Sequence, residues 1–179
     1  MAERNDSDAT TTKNSTAVER TSERELVVRR TVNGPVRLVW EAWTKPELFQ
    51  RWWVPKSFGL TLLSCEMDVR AGGKYRLVFQ HGDATMAFFG TYREVTPPTR
   101  LVWTNEEGEG EQVTTVTFDD KDGKTSLVVH DLYPSKEALD AAIASGSTGG
   151  LPEQLAELDV LLADLVDALS PPSTPAASR

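Results

Sequence analysis

The chain has 179 residues, 39% of them apolar, and this favours one domain with a core of its own. No apolar run approaches the roughly 18 residues that a membrane span needs, and the polar first 24 residues lack the apolar stretch of a secretory signal. Cys65 is the single cysteine, so an internal disulfide is excluded and a reducing cytoplasmic location is expected.

The formal net charge of −8 is unevenly distributed. Residues 25–104 carry eleven Lys and Arg against seven Asp and Glu, whereas residues 105–169 carry three against fifteen. An acidic half repels phosphate backbones, so nucleic acid is not expected as a partner. We interpret the acidic residues as a solvated face that keeps the protein in solution; a docking surface for a protein partner is the alternative.

Residues 1–24 show no apolar periodicity and are predicted to be a disordered tail, as is the Pro-, Ser- and Ala-rich segment 170–179. The folded domain is therefore expected to span residues 25–169. It begins with a strand from Glu25, followed by a helix in whose first turn Pro35 is tolerated.

Thr44 and Glu47 have the spacing of a capping box, which predicts a second short helix ending before Pro55. Six strand-like segments separated by turn residues follow, and their short connections predict a meander of antiparallel hairpins. These segments are 60–69, 74–80, 85–95, 100–106, 112–120 and 125–133. Gly90 is expected to mark a kink or bulge that curves the sheet.

Ser135 can cap a helix that runs through Ile143, and a glycine-rich break then precedes a helix over residues 152–169. Leucines spaced four and three residues apart give this last helix a continuous apolar face, which must be buried. The expected fold is α+β: a curved antiparallel meander sheet wrapped around a long C-terminal helix, with two short helices after the first strand.

Several segments in this order resemble a known family. They are 35–44 with Leu48, Trp52 and Trp53, then 68–75, 90–92, 97–104, 114–117 and 135–150. Over residues 25–169 the chain resembles the helix-grip (START, birch-pollen-allergen-like or SRPBCC) superfamily. More narrowly, it resembles the family named for the C-terminal domain of the activator of the Hsp90 ATPase. The resemblance implies this fold, and an interior cavity of the kind that binds lipids, sterols, hormones or polyketide intermediates in other members, some of which are enzymes.

Catalytic and metal-binding patterns are sparse. His81 lies in a predicted turn, and His130 shares a strand face with Val128, where a satisfied polar residue is more typical than a general base. Neither the histidines nor Cys65 have metal-ligand spacing, and no nucleophile or phosphate-loop motif occurs. We therefore predict no metal, no cofactor and no catalytic residue.

The facing of Glu66 decides between two interpretations of its strand. If Leu63, Cys65 and Met67 face the cavity, Glu66 is solvated, which is the interpretation we favour. If the strand were turned over, Glu66 would be a buried acid and a candidate proton-transfer group.

The predicted ligand-binding residues are mainly aromatic or aliphatic. Trp52, Trp53 and Phe58 are expected at the cavity mouth, facing the glycine-rich break at residues 146–150. That break is either a gate or a C-cap with Gly146 left-handed. The remaining predicted residues are Tyr75, Phe79, Phe88 and Trp103, deeper in the cavity, together with Met86, Gly149, Leu155 and Leu158.

The leading hypothesis is binding or sensing of a small hydrophobic ligand, of the lipid, sterol or aromatic polyketide class, without intrinsic catalysis. The first alternative is a chaperone-associated interaction protein related to heat-shock ATPase activators. The second is a cyclase- or hydrolase-like enzyme acting in the cavity. A filled core would favour the first alternative, and convergent polar groups inside a cavity would favour the second.

Overall fold

The structure is a computed structural model, and it describes residues 15–169. Within that range it contains eight strands, four helices and two short 3-10 turns. The strands are β1 (Ala17–Arg20), β2 (Glu25–Val32), β3 (Thr61–Met67), β4 (Lys74–His81), β5 (Ala84–Thr96), β6 (Arg100–Asn105), β7 (Gln112–Lys121) and β8 (Lys124–Leu132). The helices are α1 (Val36–Thr44), α2 (Pro46–Phe49), α3 (Lys136–Ala144) and α4 (Leu151–Leu169).

The eight strands form one antiparallel sheet in the order β1-β2-β8-β7-β6-β5-β4-β3. The predicted six-strand meander is present as β3 to β8. Strand β2 then pairs with β8 over eight residues, from Glu25 opposite Leu132 to Val32 opposite Thr125. This long-range pairing joins the two ends of the folded domain.

Strand β1 corrects the expectation that residues 1–24 form a tail. Ala17–Arg20 pair with the outer edge of β2, and Arg20 Nη1 lies 2.7 Å from Asp140 Oδ1 on α3. All four β1 residues are exposed, so the pairing rests on backbone hydrogen bonds and not on the apolar burial that periodicity detects. Residues 1–14 and 170–179, also assigned to tails, lie outside the described residues.

Strand β5 changes partner along its length. Its first half pairs with β4 up to Thr91, and its second half pairs with β6 from Tyr92. A Cβ atom at Gly90 would lie 1.8 Å from the carbonyl oxygen of Thr104, so glycine permits the two strands to approach. The register shift itself falls just beyond, between Tyr92 and Glu94.

The start of α2 differs from the predicted capping box. Thr44 Oγ1 donates a hydrogen bond to the Trp40 carbonyl at 2.8 Å within α1, so it does not cap the following helix. Lys45 occupies the N-cap of α2 in extended conformation, and Pro46 is the first helical residue. The proline restricts the residue before it to extended geometry, which moves the boundary by one position.

Helix α4 packs across the concave face of the sheet through Leu155, Leu158, Leu161 and Leu162, all of them buried. Ser135 caps α3 as predicted, accepting a hydrogen bond from the Ala138 amide at 3.0 Å. The architecture is the helix-grip α+β fold that the sequence resemblance implies. None of the helices over residues 15–169 is long and apolar enough to cross a membrane.

Candidate functional site

A cavity of about 710 Å³ lies between the concave sheet, the α1–α2 region and the α3–α4 junction. Its lining is predominantly aromatic and aliphatic. The lining residues are Trp43, Phe49, Trp53, Pro55, Phe58, Leu60, Met67, Tyr75, Leu77, Phe79, His81, Met86, Phe88, Tyr92, Trp103, Asn105, Ser145, Gly146, Ser147, Gly150 and Gln154. The volume is typical of a site for a small organic molecule.

The inner wall and the mouth are formed by different parts of the same hairpin. Tyr75 and Phe79 on β4 are 8% and 4% exposed, so they lie deep. Met86 and Phe88 on β5 are 40% and 37% exposed, although both line the cavity. Phe88 is therefore nearer the mouth, and the prediction that it lies deep is wrong.

Trp43 is the centre of the aromatic packing beneath the cavity. Its ring centroid lies 4.7 Å from that of Trp52, 5.8 Å from Trp53 and 6.0 Å from Trp103. The contacts with Trp52 and Trp53 are edge-to-face, a geometry that adds to the stabilisation from burial. The buried indole Nε1–H of Trp43 has no hydrogen-bond partner within residues 15–169.

Seven of the eleven predicted ligand-binding residues line the cavity, and four do not: Trp52, Gly149, Leu155 and Leu158. Trp52 is fully buried, and its Nε1–H donates to the Ala42 carbonyl at 2.9 Å, so it ties the turn after α2 to α1. Leu155 and Leu158 are also fully buried in the core, and Gly150 and Gly146 line the cavity where Gly149 was expected. Ligand binding by the other seven stays a prediction.

The two ends of the glycine-rich break have different environments, and only the C-cap interpretation is supported. Gly146 is left-handed at φ 78° directly after α3, as the C-cap interpretation predicts. Gly150 packs against the loop before β3, where an added Cβ would lie 3.2 Å from the Phe58 ring. Ser57 in that loop donates through its amide to Glu153 Oε1 at 3.0 Å. This side of the rim is thus held together by packing and hydrogen bonds.

A row of polar side chains crosses β6, β7 and β8 on the concave face. Asn105 Nδ2 donates to Thr114 Oγ1 at 2.9 Å, and Thr114 Oγ1 donates to Asp131 Oδ1 at 2.6 Å. Tyr75 extends the row, since its hydroxyl lies 3.0 Å from Asn105 Oδ1 and 2.7 Å from the Thr104 carbonyl. Asn105, Thr114 and Asp131 line a second chamber of about 260 Å³, which shares Trp43, Trp53, Phe88 and Trp103 with the main cavity.

Asp131 was missed in the sequence, although the signal was present. Leu127, Val129 and Asp131 alternate along the last strand, so they share the face opposite to that of Val128 and His130. His130, on the other face of the strand, points away from the core and contacts Glu25. Burial raises the pKa of the Asp131 carboxyl, while hydrogen bonds from Thr114 and Gln112 oppose that shift. Burial likewise raises the pKa of Tyr133, in the same chamber, to about 12.

The remaining titratable candidates lie at the surface. Glu66 is exposed and Met67 lines the cavity, so the favoured interpretation is confirmed for these two residues. It is wrong for Leu63, which is 52% exposed at the register shift between Leu62 and Ser64. His130 Nε2 lies 2.7 Å from Glu25 Oε2 on the opposite face from Val129, and this contact is the main cause of the lowered Glu25 pKa. Within residues 15–169, no three His, Cys, Asp or Glu side chains are grouped to hold a metal ion.

A scan against protein families matches residues 33–163 to the family described as "Activator of Hsp90 ATPase homolog 1-like protein". The chain belongs to this family. Every residue that lines the main cavity lies within the range matched to the family. No curated protein matches it significantly.

Solved structures give the same fold. A Rhodobacter sphaeroides protein is 27% identical with a TM-score of 0.77, and the match covers 84% of this chain and 99% of that one. A Nitrosomonas europaea protein is 24% identical with a TM-score of 0.74, covering 83% and 99%. An AHSA1-like protein from Aeromonas hydrophila is 22% identical with a TM-score of 0.64, covering 76% and 92%.

Proposed function

We propose that this protein binds a small, largely apolar molecule in the cavity between the sheet and α4. The observation that carries the proposal is the cavity itself: about 710 Å³ of space lined by aromatic and aliphatic side chains inside an otherwise packed core. Several of the apolar side chains that line this space are exposed to solvent, and a ligand that covered them would be stabilised by their burial. Membership of the helix-grip fold is consistent with this role.

The mouth supports entry of a ligand from solvent. Met86 and Phe88 on β5 and Phe58 beside α4 are all more than a third exposed, although each lines the cavity. Apolar side chains in this position can contact a ligand without any prior opening of the core. We place the entrance between the β4–β5 hairpin and the α3–α4 junction, where Gly146 and Ser147 also line the cavity.

A matched pair of variants tests the proposal. Phe88 and Phe89 are adjacent and similarly exposed, at 37% and 41%, but only Phe88 lines the cavity. Decanol is the probe, and its binding is followed by the fluorescence of Trp43, Trp53 and Trp103, which line the cavity. Phe88→Ala should weaken decanol binding by at least about fivefold, because it removes apolar contact area, whereas Phe89→Ala should not. Equal affinities in both variants would contradict the proposal.

The natural ligand class can be sought directly. Protein purified from its host is denatured and extracted, and the released small molecules are identified by mass spectrometry. The Phe88→Ala and Phe89→Ala variants are extracted in parallel as controls. A molecule recovered with wild type and Phe89→Ala, but depleted with Phe88→Ala, is the expected result.

A second candidate is a hydrolase-like enzyme acting in the same cavity, and the polar row is the observation that favours it. Asp131, with its raised pKa, is a carboxyl group that could activate water as a general base. The probe is p-nitrophenyl decanoate. This candidate predicts nitrophenolate release above buffer that is lost in Asp131→Asn and kept in Phe89→Ala. A rate equal to buffer would leave binding alone as the function.

A further inference from the structure

Acidic side chains line the smaller chamber, whereas no Asp or Glu among the described residues lines the main cavity. Asp131 and Glu107 both line the smaller chamber, and neither chamber is lined by a lysine or an arginine. None of the ion pairs over residues 15–169 includes Asp131 or Glu107. The negative charge at this end of the site therefore has no basic side chain lining the site to balance it.

Two hydrogen bonds of the polar row run in series toward Asp131. Thr114 Oγ1 accepts from Asn105 Nδ2 and donates its one proton to Asp131 Oδ1, so its hydrogen-bonding capacity is largely used. An ionised carboxylate has about four acceptor sites, more than the hydrogen bonds from Thr114 and Gln112 fill. The Asp131 carboxylate, at the end of the row, can therefore accept further hydrogen bonds from a group in the smaller chamber.

The geometry points to a ligand with an apolar body and a hydrogen-bond-donating head that carries no negative charge, with a protonated amine bound most tightly. This inference rests on the proposed binding function. The head lies in the smaller chamber against Asp131, and the body extends past Trp103 toward Phe79 and Met86. A carboxylate head would face Asp131 and Glu107 with no cation to offset the repulsion, so simple fatty acids are disfavoured. An ammonium head supplies that cation and donates charge-assisted hydrogen bonds.

The groups that face Asp131 are consistent with this assignment. Tyr133 and Glu107 share its chamber, Tyr75 and His81 line the main cavity, and His130 lies behind the strand in contact with Glu25. Burial disfavours the ionised form of Asp131 by raising its pKa, and an incoming cation would favour that form. Amine binding should therefore weaken as pH falls and Asp131 takes up a proton, while alcohol binding should not.

The test uses three probes with one chain length and different heads: decylamine, decanol and decanoate. Dissociation constants are measured by calorimetry near neutral pH, where the amine is cationic and the carboxylate anionic. Wild type should bind decylamine at least about tenfold more tightly than decanoate, with decanol between them. Asp131→Asn should bring the amine and carboxylate affinities close together.

Asp119→Asn is the matched control, because Asp119 is an exposed acid on β7 that lines neither chamber and the substitution changes the net charge equally. It should keep the wild-type order of affinities. If Asp131→Asn fails to fold, the pH dependence of decylamine binding to wild type tests the role of Asp131. Glu107→Gln then tests the other acidic side chain of the smaller chamber.

The outcomes separate this inference from the proposed function. Decanoate binding as tightly as decylamine in wild type would overturn the inference and leave the binding function standing. An unchanged amine preference in Asp131→Asn would also overturn it. If no decyl compound binds, the proposed function and the inference fall together.

Discussion

Arg30 Nη2 on β2 lies 2.6 Å from Asp159 Oδ2 on α4, with the two side chains only 10% and 15% exposed. Asp159 Oδ1 also accepts a hydrogen bond from the Asn33 amide at 2.8 Å, so one carboxylate joins α4 to both the strand and the turn after it. This contact fixes the middle of α4 to β2, whereas the start of α4 borders the cavity. It makes Asp159 a polar anchor within an otherwise apolar interface.

Asp159→Ala should destabilise the protein by about 3 kcal/mol, because it leaves the nearly buried Arg30 guanidinium without its partner. Asp164→Ala is the control: Asp164 pairs with Arg51 at 3.4 Å, but both side chains are at least half exposed. That substitution should change stability by less than about 1 kcal/mol. Urea unfolding measures both, and equal losses would show that the Arg30 pair contributes no more than a surface contact.

Leu158→Ala should cost on the order of 2–5 kcal/mol, since the side chain is fully buried. Val160→Ala, two residues along the same helix and 59% exposed, should cost no more than about 0.5 kcal/mol. Because Leu158 packs in the core and does not line the cavity, decanol affinity should be unchanged in the folded fraction. A loss of affinity with full stability would contradict this placement.

Removing β1 should lower stability, contrary to the expectation for an unstructured tail. Deleting residues 1–24 removes four strand pairs with β2 and the Arg20–Asp140 ion pair, whereas deleting residues 1–14 keeps them. The difference in free energy of unfolding between the two deletions should be on the order of 1–2 kcal/mol. Identical denaturation midpoints would mean that β1 contributes nothing.

Asp131→Asn should raise the melting temperature at neutral pH while abolishing the amine preference. The folded protein holds the Asp131 proton to higher pH than the unfolded chain, so this group's contribution to stability falls as pH rises above its ordinary pKa of 3.8. Asparagine removes that penalty and keeps an oxygen that can accept from Thr114. The gain should disappear below pH 3.8, where both states are protonated. A lower melting temperature at neutral pH would contradict it.

Most secondary structure could be predicted because its signals are local. Alternation identified β3 to β8, Ser135 marked the start of α3, and the leucine spacing of α4 required a buried face. The pairing of β2 with β8 could not be predicted, because its two strands are nearly a hundred residues apart and no local pattern encodes a partner. Strand β1 escaped because its residues are exposed, so they show no burial pattern.

The candidate site was only partly predictable for a related reason. Alternation assigns a residue to the concave face, but both the packed core and the cavity lie on that face. Leu127 on β8 and Phe79 on β4 are therefore alike in sequence terms, yet Leu127 packs in the core and Phe79 lines the cavity. Trp52 was misplaced because its neighbour Trp53 lines the cavity while Trp52 turns toward the Ala42 carbonyl. Depth along the concave face depends on helix placement, which sequence periodicity does not give.

The most direct test of ligand binding in the cavity is methyl NMR of protein labelled at methionine and leucine. Met67 and Met86 line the cavity from β3 and β5, whereas Leu63 is 52% exposed on β3 and does not line it. On titration with decanol, the Met67 and Met86 methyl signals should shift saturably with one shared dissociation constant, and Leu63 should stay unchanged. Unchanged methionine signals up to the solubility limit of decanol, or shifts of equal size at Leu63, would contradict a binding site in this cavity.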